Sequence, residues 1–264
     1  MIGQNSIYFL SGKLLIGFLI FVRVLAMMMI APLFNHQGII PQYKILLSAM
    51  IAMWITQSFW LEQPQIEFHL WNMIFLVLKE VMVGLAIGFA ANTVFWAAKF
   101  AGGIIDFDMG YQTQLMFNQD NAPTLVGELK NMTVLMIFIL IGGPNYIIEG
   151  LFASFRAVPI NTFEVTGSTV QLLIKLITTV FIIGVKMSSP ILVSLFLTNL
   201  ALALLARVAP QTNIFILSFQ LKIAIGLLVL MASVPLFIYI TKYSLQGFEE
   251  ELMRIILSLN PARV

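Results

Sequence analysis

Met187-Ser-Ser-Pro-Ile-Leu-Val-Ser-Leu-Phe-Leu-Thr-Asn-Leu-Ala-Leu-Ala-Leu-Leu-Ala206 is a run of 20 residues without one charged side chain. A helix needs about that length to cross a hydrocarbon core of ~30 Å. The run is not alone. Ile45–Leu61, Val81–Ala98, Asn131–Ile148 and Ile223–Thr241 are also charge-free, at 17, 18, 18 and 19 residues. A further apolar segment, Leu14–Ala31, is divided by Arg23 into halves too short to span separately, so it has to be one helix with a central charge. Its Leu, Ile, Phe and Val residues contribute roughly −3 to −7 kcal/mol to insertion, against about +3 for the arginine. Insertion survives, and Arg23 requires a partner.

Composition agrees with these runs. The 264 residues are 60% hydrophobic and 10% charged, with a mean hydropathy of +0.97. A water-soluble globule is excluded, because 14 basic and 12 acidic side chains cannot cover a soluble particle of this size. A net charge of +2 without clustering excludes a nucleic-acid footprint. Zero cysteines remove disulfides, thiolate metal sites and cysteine nucleophiles. His36 and His69 have no acid or serine at motif spacing, and no phosphate loop, dinucleotide fingerprint or zincin helix is present. No enzyme, metal or cofactor is expected. The segment from Lys13 to Arg23 is too short and lacks the cleavage-type stretch of a signal peptide, so the N-terminus is expected to stay attached.

The fold class predicted is all-α, with about six long apolar helices as membrane-associated hairpins. Phe68–Ala101 reads as one helix of about 50 Å at 1.5 Å per residue, longer than a bilayer core. Gly167–Ala206 is helical too, with a kink or break expected at Pro190, and Pro235 interrupts the last long apolar segment. Connections are expected at 35–41, 62–67, 102–123, 142–144 and 159–168. From Gly247 onward, Phe248, Leu252, Ile255, Ile256 and Leu259 lie opposite Glu249, Glu250, Glu251 and Arg254, giving an amphipathic tail that is either a docking segment or an interfacial end helix. Orientation stays undecided. Six spans from an outside N-terminus put Lys44, Lys99, Lys130, Arg207 and Lys222 on one side and Lys13, Arg156, Lys242, Arg254 and Arg263 on the other. The tie, the charges within apolar segments and the overlong helix all fit burial among other polypeptides.

Three constellations could carry function. Glu80, Gly84, Gly88 and Ala91 share one helical stripe, with small-xxx-small spacing for close packing. Glu80 is read as an interface carboxylate paired with Lys79 or another lysine, or as a proton relay. Lys175 and Lys186 are eleven residues apart and fall on one face, with Arg207 beyond Pro190; snorkelling or partner contacts compete with the lining of a conduit. The segment from Gly102 to Pro123 mixes Gly, Met, Phe and amides, and its apolar content predicts a loop buried against something. Met and Phe there suit a deformable hydrophobic constriction, while a packed connecting loop is the plainer alternative. Asp106 and Asp108 alone are a weak cation signal.

Several of these stretches carry a resemblance. Phe21-Val-Arg-Val-Leu-Ala26, Ala31-Pro-Leu with Ile40-Pro41, Lys79-Glu-Val-Met-Val-Gly-Leu-Ala-Ile-Gly-Phe89, Ala101-Gly-Gly-Ile-Ile-Asp-Phe-Asp-Met-Gly110 and Ala206-Arg-Val-Ala-Pro-Gln-Thr-Asn-Ile-Phe215 resemble the FliR family of type III secretion export gates, over about residues 6 to 245. The last is the most specific, and the virulence injectisome paralogue shares its Ala-Pro-Gln-x-Asn core. Membership implies a non-enzymatic subunit of the flagellar export gate in the bacterial inner membrane, at the flagellar basal body. It implies assembly with FliP and FliQ around a pore for unfolded flagellar axial proteins, with FlhB and FlhA joining on the cytoplasmic side. It further implies a FliP-like part over 1–160, a FliQ-like hairpin over 161–246 and the tail over 247–264. The family's pore plug maps onto 102–118, on Ile105, Phe107, Met109, Gly110, Leu115, Met116 and Phe117. Asp108 departs from that pattern, as does the missing proline after Phe117-Asn118. The expected helix-packing and interface set is Arg23, Glu80, Gly84, Gly88, Lys175, Lys186, Arg207, Pro210, Gln211 and Asn213. An injectisome gate subunit and a proton-coupled secondary transporter using Glu80 and Asp106 are the alternatives.

Overall fold

The computed structural model describes residues 2–34, 40–59, 70–111, 124–164, 167–211 and 213–259. All elements among them are helices: α1 (Ile2–Ile30), α2 (Pro41–Phe59), α3 (Leu70–Met109), α4 (Leu125–Leu140), α5 (Gly143–Ala157), α6 (Gly167–Val208), α7 (Ile214–Gln246) and α8 (Phe248–Ser258). The all-α membrane fold expected from the apolar runs is the one observed. Four helices are long and apolar enough to cross a membrane, those containing Gly12–Ile30, Trp71–Met109, Thr169–Val208 and Ile216–Gln246, and α4 with α5 makes a fifth if that bent pair counts as one span. About six were expected. Two of the expected runs account for the difference. Asn131–Ile148 is cut where Gly142 takes a left-handed conformation (φ +78°) and Pro144 opens α5. In α2, Lys44, Ser48, Thr56 and Gln57 dilute the apolar run.

Three further expectations are corrected. The helix beginning before Trp71 does not stop at Ala101 but continues to Met109, so residues 102–109 belong to α3 rather than to a loop. The Gly102-Gly103 pair, which looks like a helix breaker, lets α3 touch α4: a Cβ on Gly102 would overlap the backbone of Gly127. Pro190 and Pro235 lie inside unbroken helices. Proline at 190 removes the donor that the Lys186 carbonyl would otherwise receive. The Ser189 hydroxyl donates to that carbonyl instead, at 3.0 Å, so the helix passes through. Finally, α8 is not a free docking segment. Phe248, Leu252, Ile255, Ile256 and Leu259 are all buried, and Leu252 lies so close to Gly150 of α5 that a Cβ there would overlap it.

At 1.5 Å per residue, α3 is about 60 Å long and α6 about 63 Å, twice a ~30 Å hydrocarbon core. Contacts divide the chain into two compact units. One comprises 1–92, 142–176 and 247–264, the other 93–141 and 177–246. In the first, α1 packs on α2 and on the N-terminal part of α3, and α8 covers α5. In the second, the C-terminal part of α3, α4 and the rest of α6 and α7 enclose Ile105, Met109, Val126, Ile191 and Leu195.

Candidate functional site

In the first unit the stripe on α3 meets α1. Leu19, Arg23 and Met27 recur every four residues on α1 and are all buried, and Leu76, Glu80, Val83 and Ile87 do the same on α3. Arg23 Nε donates to Glu80 Oε2 at 2.6 Å, with neither side chain exposed. The remaining guanidinium donors go to the end of α5: Nη1 to the Ser154 carbonyl at 3.1 Å and its hydroxyl at 3.3 Å, Nη2 to the Val158 carbonyl at 3.0 Å. Phe155 stacks below, 4.3 Å from ring centroid to Cζ. Arg23 therefore answers one buried carboxylate and caps a helix C-terminus, where orphan carbonyls and the helix dipole favour a cation. The lysine partner expected for Glu80 is replaced by this arginine. Lys79 turns instead to Asn161, donating to its carbonyl at 3.1 Å and its side-chain oxygen at 3.3 Å. Asn161 has a left-handed backbone (φ +73°), and short amides tolerate that conformation best. Glu80 Oε1 has no hydrogen-bond partner.

Gly84 and Gly88 continue the contact. A Cβ on Gly84 would overlap the Arg23 carbonyl, and one on Gly88 would sit 2.9 Å from the Met27 carbonyl oxygen. Further along, Asn92 Nδ2 donates to the Ile30 carbonyl at 2.9 Å.

In the second unit, Ile105 and Met109 are fully buried in the core cluster, whereas Phe107 between them is 69% exposed, as helical spacing dictates. Met109 fills the space beside Gly226, where a Cβ would come within 2.8 Å of its sulfur. Gly110 ends α3 with φ +83°, a conformation that glycine adopts without strain. Leu115, Met116 and Phe117 lie outside the described residues. Asp106 holds no cation; its carboxylate accepts the Val126 N–H at the start of α4, at 3.1 and 3.3 Å. Among the described residues no group of three or more potential ligands gathers in one place.

Sequence reasoning placed Lys130 in a loop. It is buried on α4 with Val126, Val134 and Ile137, at the spacing of one helical face, which was the available signal. Its ammonium donates to the Met187 carbonyl at 3.3 Å and lies 4.0 Å from the Phe237 ring centroid, joining α4, α6 and α7 beside Pro190. Lys175 and Lys186 are exposed on α6, and Arg207 is exposed in its last turn. Pro210, Gln211 and Asn213 form the exposed connection to α7, where the Asn213 carbonyl accepts the Leu217 N–H at 3.3 Å.

A membrane-embedded helical chain with a buried ion pair and a Gly- and Met-rich helix end matches the family described as bacterial export proteins, family 1, over residues 14–248. The chain belongs to this family. Among its relatives, the flagellar biosynthetic protein FliR of Bacillus subtilis (strain 168) is 29% identical over 91% of this chain and 94% of its own length. FliR of Escherichia coli (strain K12) is 28% identical over 81% of this chain and 82% of its own. The Yop proteins translocation protein T of Yersinia pestis is 30% identical over 81% and 83%. Flagellar and Yop relatives of the family are thus about equally similar in identity.

Proposed function

We propose that the chain is a subunit of a type III protein export gate, in its flagellar form, and that it has no catalytic activity of its own. The family match over 14–248 carries this assignment. The flagellar form is favoured over the injectisome form because the Bacillus FliR alignment reaches across nearly the full length of both chains. The partners are FliP and FliQ, which surround a shared pore with this subunit, and FlhB and FlhA on the cytoplasmic side. The site of action is the bacterial inner membrane at the basal body, and the cargo is unfolded axial protein. Residues 1–160 act as the FliP-like part and 161–246 as the FliQ-like hairpin.

Support comes from surface and length. Phe181, Val193, Phe196, Leu197 and Leu204 on α6, and Leu228, Met231 and Tyr239 on α7, are exposed along helices longer than a bilayer core. Apolar surface beyond the lipid needs protein to cover it. The pore plug is assigned to 105–117, with Ile105 and Met109 rooting it in the core, Gly110 directing the chain out of α3, and Phe107, Leu115, Met116 and Phe117 forming the hydrophobic seal. The exposed Lys175, Lys186 and Arg207, with Pro210, Gln211 and Asn213, face neighbouring subunits.

Replacement of the chromosomal gene tests the assignment. A strain lacking this chain is expected to secrete no flagellar axial protein and to regain secretion when the chain is restored. Normal filament export in its absence would refute it. Deleting residues 112–118 in the assembled complex is expected to make the membrane leak ions while assembly persists.

A further inference from the structure

Resting on the export-gate assignment, we infer that Asp106 is a positioning residue of the gate: its carboxylate clamps the first turn of α4 onto the last turns of α3. The two helices that lead into and out of residues 112–123 are thereby fixed to each other.

The clamp is built from described, buried groups. Helix α4 begins with Thr124 as its N-cap, but that side chain makes no capping hydrogen bond. The first N–H groups of a helix need acceptors, and an anion is favoured there by the helix dipole. Asp106, 20 residues upstream and only 1% exposed, supplies both. Its two oxygens take the Val126 N–H at 3.1 and 3.3 Å, and the Gly127 amide acts on the same carboxylate. One turn below, Gly102 and Gly127 bring the two backbones into direct contact, so that neither helix can slide without opening the other. Above, Ile105, Met109 and Val126 share one core cluster, with Tyr111 packed against it. A Cβ on Gly110 would come within 3.0 Å of Phe219, so the exit of α3 is held as well.

The consequence is mechanical. The chain leaves this platform at Gly110 and returns to it at Thr124, so both ends of the intervening segment are pinned to one rigid body. Passage of cargo then has to move the segment about Gly110 and Thr124 rather than separate α3 from α4. Asp106 sets the resting position to which it returns. A carboxylate that served only folding stability would change the yield of the complex; one that positions the seal also changes leakage through complexes of normal mass.

The experiment uses the whole export complex in proteoliposomes, with wild-type chain, Asp106→Ala, Asp106→Asn and the 112–118 deletion. Amide exchange at Val126 and Gly127 and proton leakage are measured, after native mass has established assembly. Asp106→Ala is expected to speed exchange at these amides by about tenfold, the scale of a lost helix cap, and to raise leakage several-fold. Asp106→Asn, which keeps one acceptor oxygen, should fall between. Should Asp106→Ala fail to assemble, Asp106→Asn carries both readouts. Wild-type exchange and leakage in these variants overturn the clamp. If the deletion leaks and the Asp106 variants do not, the clamp is overturned and the seal assignment stands. If the deletion does not leak, the seal assignment falls and exchange alone decides the clamp.

Discussion

Arg23 on α1 and Glu80 on α3, 57 positions apart in the chain, form a 2.6 Å ion pair from which solvent is excluded. Removing one partner strands the other charge in a low-dielectric interior, at a cost of about 3–5 kcal/mol. Arg23→Ala and Glu80→Ala are each expected to lower stability by that order in thermal unfolding of the detergent-solubilised protein. Arg23→Met combined with Glu80→Leu should lose less than the two single changes summed, because it leaves no orphan charge. Additive losses would mean that the two charges do not depend on each other.

The glycines of the α1–α3 contact separate by position. Gly84→Ala drives a methyl into the Arg23 carbonyl and Gly88→Ala places one 2.9 Å from the Met27 oxygen, whereas Gly12 has nothing within 4 Å of a Cβ. The first two changes should destabilise by about 1–3 kcal/mol. Gly12→Ala should be neutral or stabilise by up to ~1 kcal/mol, since it removes a helix-interior glycine. Equal effects at Gly84 and Gly12, read from unfolding midpoints, would remove the basis for a close helix contact.

How much of this was visible beforehand depends on whether the partner group lay nearby in sequence. The insertion arithmetic showed that Arg23 needs a partner, and helical spacing put Glu80, Gly84 and Gly88 on one stripe; what joined them was distant in the chain. The Gly102-Gly103 pair reads locally as a breaker, and only Gly127, brought alongside by α4, turns it into a packing contact. Pro190 likewise signals a break unless the Ser189 hydroxyl is seen to take the Lys186 carbonyl. Asp106 resembled half of a cation site because the α4 N-terminus that occupies it starts 19 residues later. Lys130 was counted with the loop charges, although its spacing with Val126 and Val134 marked the buried face.

Lys130 carries a charge into the second unit with a carbonyl and an aromatic face for company. Replacing a buried charge by an apolar chain of similar length is often neutral or stabilising. Lys130→Met is therefore expected to fold with stability equal to or above the wild type. Lys130→Glu should not fold, since a carboxylate there would face the Met187 carbonyl. Circular dichroism and detergent-extracted yield of the two variants check this, and a strongly destabilised Lys130→Met would assign the ammonium an indispensable bond.

Helix α8 should behave as part of the first unit. Leu252 is 2% exposed and fills the notch at Gly150, so Leu252→Ala should cost about 2–5 kcal/mol and expose the tail to protease. Glu250→Ala, on the exposed side of α8 where its pairing with Arg254 spans 3.8 Å, should change little. Limited proteolysis distinguishes them; matched cleavage rates would place α8 away from α5.

The central claim is that other polypeptides, and not lipid alone, surround this chain as a gate subunit. The native mass of the complex extracted from its own membrane in mild detergent tests it most directly. A hetero-oligomer several-fold heavier than the 29.6 kDa chain, containing FliP and FliQ, is the expected result. A stable, folded monomer or homodimer without those partners would contradict it.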